Sequence, residues 1–173
     1  MTYPWSSGEV LTAADLNAYA GLVLLSTTTI TPGVTSVTVS SAFSSTFDNY
    51  RIIVDVTGVN VSSDIVFMQL GATTTGYQWA LISSSDTNAI GFYITPVDAS
   101  GPGIASVDLY RPNLAQPTIC LSHGIFGRSG SVGLHLMSGL LNNSTQYTAF
   151  TLRPNSPYTL DGGTIRVYGY NNG

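Results

Sequence analysis

Short runs of alternating apolar and polar residues, separated by clusters of Gly, Pro, Asn, Asp and Ser, fill the sequence from residue 26 onward. In one such run Tyr50, Ile52 and Val54 share one face, because successive side chains of a strand point to opposite sides. Short strands in this rhythm are typical of sandwiches and jelly rolls and not of βαβ units. The sequence therefore predicts an all-β fold, an antiparallel, jelly-roll-like β-sandwich. The ten predicted strands are residues 37–39, 50–57, 65–70, 77–82, 90–95, 107–110, 118–121, 132–137, 147–152 and 164–170.

The first 25 residues follow a different pattern. Their Thr-Ala-Ala-Asp stretch favours a capped helix, and Leu16, Tyr19 and Val23 after it fall at helical spacing. A helix of this length is marginal in water by itself, so it must dock on its own domain or on a partner. We predict a short N-terminal helix in an anchoring segment of residues 1–25, followed by a β-sandwich head of residues 26–173.

Charge is scarce in this chain. Charged residues make up 8% of 173 positions, against about 25% in an average soluble protein, and Ser and Thr together fill 42 positions. The five Lys and Arg residues are all Arg, and the net charge is −4, which argues against binding nucleic acid through its phosphates. No segment approaches the roughly 20 apolar residues of a membrane span, and the first basic residue is Arg51, unlike a secretory leader. We expect no nucleic-acid partner, no membrane partner and assembly in a cytoplasm.

Two predicted strands, residues 65–70 and 132–137, are apolar on both faces. A two-layer sandwich buries only one face of each sheet, so something must cover the other. With so few charges, burial in a homo-oligomer is the favoured explanation; the alternative is that Ser, Thr and Asn hydrate the outer faces. His135 alternates with Leu134 and Leu136, so we expect it to point to solvent or to a subunit interface.

Catalytic chemistry finds little support in the sequence. Glu9 is the only Glu, and the eight Asp residues are scattered through turns and strands. Residues 127–131, Gly-Arg-Ser-Gly-Ser, lack the second Gly of a nucleophile elbow, and no helical pattern follows them. Cys120, His123 and His135 do not have the spacing of a tetrahedral zinc site. We predict no catalytic residue, no metal site and no cofactor.

A binding surface is the remaining possibility. Aromatic rings beside hydroxyls and amides suit sugars, because a ring face packs on the C–H face of a saccharide. The polar loops 83–88, 98–103 and 142–146 are candidate ligand loops. The alternative is that most of the rings belong to the core or to an interface. The predicted glycan-binding residues are Trp79, Tyr93, Tyr110, Asn142 and Asn143.

Three segments resemble small virion proteins of tailed bacteriophages. Residues 5–19, with Trp, a short Gly-containing spacer and Leu-Thr-Ala-Ala-Asp-Leu-Asn, are similar to the start of many such proteins. Residues 47–54 resemble their first long strand, and residues 162–170, Gly-Gly-Thr-Ile-Arg-Val-Tyr-Gly-Tyr, resemble their closing strand. The resemblance implies that residues 1–25 attach the chain to other virion proteins. The anchor residues that it implies are Trp5, Leu11, Asp15, Leu16, Asn17 and Tyr19.

The same resemblance suggests a function. It implies a virion structural protein whose trimeric β-rich head points outward, as a tail fibre or receptor-binding protein that contacts host surface polysaccharide. A capsid or neck decoration protein would use the same anchor and fold, and remains the alternative. A glycan-degrading spike is less favoured, because such spikes are usually long β-helices and this chain has no internal repeat.

Overall fold

The computed structural model describes residue 12 and residues 21–82, 84–99, 101–128 and 131–171. These residues form twelve β-strands, and no helix occurs among them. The predicted N-terminal helix falls on residues outside the described part of the chain. The strands are β1 (Leu22–Ile30), β2 (Val37–Val39), β3 (Asn49–Val56), β4 (Asp64–Leu70), β5 (Tyr77–Ala80), β6 (Ser85–Ala89), β7 (Phe92–Val97), β8 (Gly103–Tyr110), β9 (Thr118–Arg128), β10 (Ser131–Leu141), β11 (Phe150–Arg153) and β12 (Gly163–Tyr170).

The strands form two antiparallel sheets. The larger has eight strands in the order β1-β12-β3-β8-β9-β10-β5-β6, and the smaller has four in the order β2-β11-β4-β7. All ten predicted strands overlap observed ones, so the prediction of an all-β, antiparallel fold is confirmed, and the two sheets give it a sandwich-like form. Val23 lies in β1, which pairs with β12, so its place in the predicted helical stripe is wrong. β1 begins at Leu22, inside the segment assigned to the anchor.

The core lies between the two sheets. β3 alternates strictly, and its buried residues Tyr50, Ile52, Val54 and Val56 are the ones that the sequence placed on one face. The smaller sheet contributes an inward set of its own, and burying each such side chain fully stabilises the fold by about 1.5–3 kcal/mol. Its largest buried side chains are Met68, Leu70, Phe92, Ile94, Phe150 and Leu152.

The sheets approach each other most closely at β7. The Phe92 ring lies edge-on to Tyr77, with centroids 5.0 Å apart. It also lies against the backbone of Gly139, where an added Cβ would come within 2.7 Å of the ring. Only a glycine in β10 leaves room for this ring, and this close contact brings β7 within hydrogen-bonding distance of β9.

The outer face of β4 is covered by the chain itself. Phe67 is buried, with its ring edge-on to Tyr93 at 6.3 Å between centroids. The side-chain amide of Gln69 donates to the carbonyl oxygen of Ile90 at 2.7 Å. The apolar character of residues 65–70 on both faces is thus explained within one chain, whereas that of residues 132–137 is not.

Candidate functional site

Trp79 and Tyr93 are two predicted sugar-binding residues that the fold brings into contact. Their ring centroids are 5.3 Å apart, and Tyr93 also stacks on His135 at 5.3 Å. Tyr93 is buried, Trp79 is half-buried, and the indole nitrogen of Trp79 is enclosed. These rings pack on each other in the interior, which leaves Tyr93 almost no surface for a sugar.

The other three predicted residues lie elsewhere. Tyr110 is half-buried at the end of β8 and lines a surface cleft of about 520 Å³. Asn143 donates from its amide to the hydroxyl of Tyr147 at 2.8 Å and so stabilises its own loop. Asn142 is exposed. The five predicted residues therefore do not converge on one site.

The three candidate ligand loops differ in structure. Residues 83–88 were expected to form a loop, but β6 occupies most of them and pairs with β5 as an edge strand, so that prediction is wrong. In the segment 98–103, Asp98 and Gly101 form an isolated antiparallel bridge. Residues 142–146 lie outside the strands.

His135 points into the sandwich. It is 5% exposed, whereas its neighbours Leu134 and Leu136 are exposed on the opposite face. Its Nε2 lies 3.0 Å from the hydroxyl of Ser122, and that hydroxyl donates its one hydrogen to the carbonyl oxygen of Ile94 at 2.7 Å. Nε2 therefore donates to Ser122, and Nδ1 is left unprotonated and buried, without a hydrogen-bond partner among the described residues. The expectation that His135 points outward is wrong, because the interior accommodates a neutral imidazole with one hydrogen bond.

The chemistry of this pair follows from its burial. Burial lowers the pKa of His135 to about 4; the backbone of Ile94 opposes this shift through a hydrogen bond, and the charge of His123 adds to it. The imidazole is therefore neutral at pH 7. Ser122 is fully buried and Nδ1 faces no carboxylate of the described residues, so the pair, as described, lacks both the access and the acidic member of a hydrolytic triad.

A row of exposed aliphatic side chains crosses the outer face of the larger sheet. Ile104, Ile125 and Leu134 lie side by side on β8, β9 and β10, because Ile125 pairs in register with both of the others. Val132 and Leu136 extend the row along β10; Val132 is 79% exposed and Leu134 80%. We call these five residues the apolar band. An uncharged aliphatic patch of this kind on a sheet face is typical of an interaction surface.

A groove runs beside the apolar band. It encloses about 400 Å³ between the ends of β8 and β9, and its surface is mostly apolar. His123 is the titratable group that lines it, one residue pair along from Ile125 on the same face. The groove and the band form one continuous surface of low charge.

The polar end of the same sheet face carries an ion pair. The guanidinium of Arg51 donates to both carboxylate oxygens of Asp108 at 2.8 Å, and the Tyr170 hydroxyl donates to Oδ1. Burial raises the pKa of Asp108, but the hydrogen bonds from Arg51 and Tyr170 and the charge of Arg51 outweigh it, so the net pKa is below its ordinary value. Burial and the hydrogen bond to Asp108 raise the pKa of Tyr170 to about 12. The cluster is therefore a border of the apolar band in which the charges of Arg51 and Asp108 cancel.

Asp108→Asn should weaken this border. The change keeps the shape of the side chain but leaves Arg51 and Tyr170 facing a neutral amide. We expect the free energy of unfolding to fall by about 1–2 kcal/mol in urea titrations. Asp55→Asn is the control, because Asp55 lies on the same face of β3 and forms no ion pair with any described residue. Equal losses in the two variants would contradict this account.

The outer face of the smaller sheet is polar. A cleft of about 370 Å³ lies there beside Arg153 and Tyr158. Neither Arg153 nor Tyr158 is among the predicted glycan-binding residues, and the predicted strand 147–152 stops one residue before Arg153. The alternation in β11 is the sequence signal for this outer face: Phe150 and Leu152 point inward, so Thr151 and Arg153 point outward.

The described part of the chain holds no group of three or more His, Cys, Asp or Glu side chains that could bind a metal ion. No helix in that part is long and apolar enough to cross a membrane. No protein-family model matches the sequence, and a search of the curated proteins finds no match.

Proposed function

We propose that this chain is a subunit of a homo-oligomeric structural protein of a tailed-bacteriophage particle, used as a small tail fibre or receptor-binding protein. The apolar band is the observation that supports the oligomer, because it is a large aliphatic surface that the described residues leave uncovered. The virion proteins that residues 5–19 and 162–170 resemble are subunits of this kind. The sandwich-like head is compatible with the jelly-roll-like arrangement that the resemblance implies.

A second copy of the chain is the occupant of the apolar band that its chemistry favours. The chain has a net charge of −4, so two copies repel each other wherever their acidic residues meet. The band is uncharged, and its side chains gain about 25 cal/mol for every Å² of apolar surface removed from water. Closed cyclic assembly covers such a face on every subunit, and we propose a trimer.

The attachment and the target follow from the same proposal. Residues 1–25 anchor the chain to other virion proteins, with Trp5 as the aromatic residue that fills a socket and Leu16 as a further apolar contact. The head contacts host surface polysaccharide. The protein is assembled in the host cytoplasm, and its final location is the virion.

Labelling of purified particles tests the location. A gold-labelled antibody against the head should bind a few copies at the tail in electron micrographs. Many symmetric copies on the capsid would contradict a tail position and would support the decoration protein. Absence from the particle would overturn both.

Full-length variants test the anchor. Trp5→Ala and Leu16→Asp should abolish binding to particles that lack the protein, because each removes an apolar contact. Ser6→Ala, a change at a neighbouring position outside the proposed contact set, should bind as the wild type does. Melting temperatures of the three variants show whether each of them is folded. Normal attachment of both anchor variants would contradict the proposed anchor.

A further inference from the structure

The outer face of the smaller sheet carries a polar row that runs across three strands. Thr151 pairs in register with Thr38 on one side and with Gln69 on the other. The hydroxyls of Thr38 and Thr151 are 2.9 Å apart and hydrogen-bonded. The loop between β11 and β12 lies beside this row, and the two together line a cleft of about 370 Å³. The residues that line this Arg153 cleft are Thr35, Ser36, Gln69, Thr151, Arg153, Pro154, Ser156, Pro157 and Tyr158.

Arg153 gives the cleft a positive charge. Its Nε donates to the carbonyl oxygen of Pro154 at 3.2 Å, and among the described residues its two terminal nitrogens have no acceptor. Among the described residues, no carboxylate lines the cleft. Asp64, which contacts this loop, is occupied by the backbone and side-chain nitrogens of Asn155 at 2.9 and 2.7 Å.

Arg153 differs from Arg51 in the pairing of its guanidinium group. Arg51 is neutralised by Asp108 through two hydrogen bonds. Arg153 keeps its charge in a chain whose net charge is −4 and which contains only five Arg residues. A guanidinium with two free terminal nitrogens matches the two oxygens of a carboxylate or a phosphate.

The rest of the lining suits a sugar ring. Tyr158 is half-buried at the edge of the cleft, where part of its ring can pack on the C–H face of a saccharide. Thr35, Ser36 and Thr151 supply hydroxyls that both donate and accept, and Gln69 keeps its amide oxygen as an acceptor because its nitrogen binds Ile90. A volume of about 370 Å³ lies at the lower end of the range for small-ligand sites.

We infer that the Arg153 cleft binds an anionic saccharide, with Arg153 holding the acidic group and Tyr158 packing on the ring. This inference rests on the proposed function and names the ligand class of the head. The cleft lies on the outer face of the smaller sheet, and the apolar band lies on the outer face of the larger one. It therefore stays open when copies of the chain cover the band.

Titration calorimetry of the full-length protein tests the cleft with three probes: tetragalacturonate, glucose 1-phosphate and the neutral maltotetraose. We expect at least one anionic probe to bind and maltotetraose to bind at least tenfold more weakly. Arg153→Gln should weaken the anionic probe about tenfold or more, the effect of losing a charge-assisted hydrogen-bonded pair. Arg153→Lys keeps the charge but not the two-pronged geometry, and should give an intermediate affinity.

Arg166→Gln is the matched control. Arg166 lies on β12 in the other sheet, so the same charge is removed far from the cleft, and affinity should not change. Melting temperatures show that each variant is folded. If tetragalacturonate binds more tightly, the preferred acidic group is a carboxylate. If glucose 1-phosphate binds more tightly, it is a phosphate.

The inference would be overturned if neither anionic probe binds, or if Arg153→Gln leaves their binding unchanged. Neither result bears on the particle role, which the labelling and attachment experiments decide separately. A neutral probe that binds as tightly as the anionic ones would also overturn the anionic assignment, while leaving a glycan-binding head intact.

Discussion

Leu134→Glu should dissociate the protein into monomers. Leu134 is the most exposed member of the apolar band and stands at its centre, in register with Ile125. In the proposed assembly a glutamate there would be buried against aliphatic side chains with no cation beside it. Unpaired burial of a carboxylate costs several kcal/mol, so association should weaken about 100-fold or more. Light scattering during gel filtration measures the mass directly.

The controls for this result use the same sheet face. Thr29→Glu adds the same charge on β1, several strands away from the band, and should keep the wild-type mass. Leu134→Glu should also keep its circular dichroism spectrum, because position 134 is exposed in the single chain. A wild-type chain that is monomeric at high micromolar concentration would contradict the proposed assembly.

Stability should fall as the pH is lowered from about 6.5 to about 4, because of His135. Its pKa is about 4 in the folded chain and near the ordinary 6.5 when unfolded. Between these values the unfolded chain binds a proton that the folded chain does not, so acid favours unfolding. The stabilisation is complete above pH 6.5 and is lost progressively as the pH falls to about 4. A depression of this size corresponds to about 3 kcal/mol.

His135→Phe should remove this pH dependence. Phe keeps a ring to stack on Tyr93, and Ser122 keeps its hydrogen bond to Ile94. Urea unfolding at about pH 4.5 and pH 7, at one fixed protein concentration, measures the difference. His123 and Asp108 are present in both proteins, so their contributions cancel. An identical pH slope in the two proteins would contradict the assignment to His135.

The strands were predictable because their signal is local. In β3 Tyr50, Ile52 and Val54 share one face while Arg51 and Asp55 lie on the other, which indicates the buried face, and the structure agrees. β6 gave no such signal, because four of its five residues are exposed and polar or small, and it exists only through pairing with β5. β1 was missed because its first residues continue the apolar pattern of the preceding segment.

The candidate sites were less predictable, because a site depends on distant segments. Gln69 and Thr151 come together only through the pairing of β4 with β11, which joins strands 82 positions apart in the sequence. Trp79 and Tyr93 are predicted as sugar-binding rings. The packing of β7 in the smaller sheet against β5 and β10 in the larger sheet buries Tyr93 and half-buries Trp79, and no local pattern in the sequence indicates that packing.

The sequence by itself determined the class of fold, the antiparallel strands and the low charge, because alternation and composition act residue by residue. It also determined that residues 132–137 have two apolar faces. When both faces of a strand are apolar, the alternation of its side chains does not indicate which face turns inward. The tertiary structure decided that question. Ser122 and Tyr93 give His135 a hydrogen bond and a stacking partner inside the sandwich, so His135 and Met137 point inward and Leu134 and Leu136 point outward.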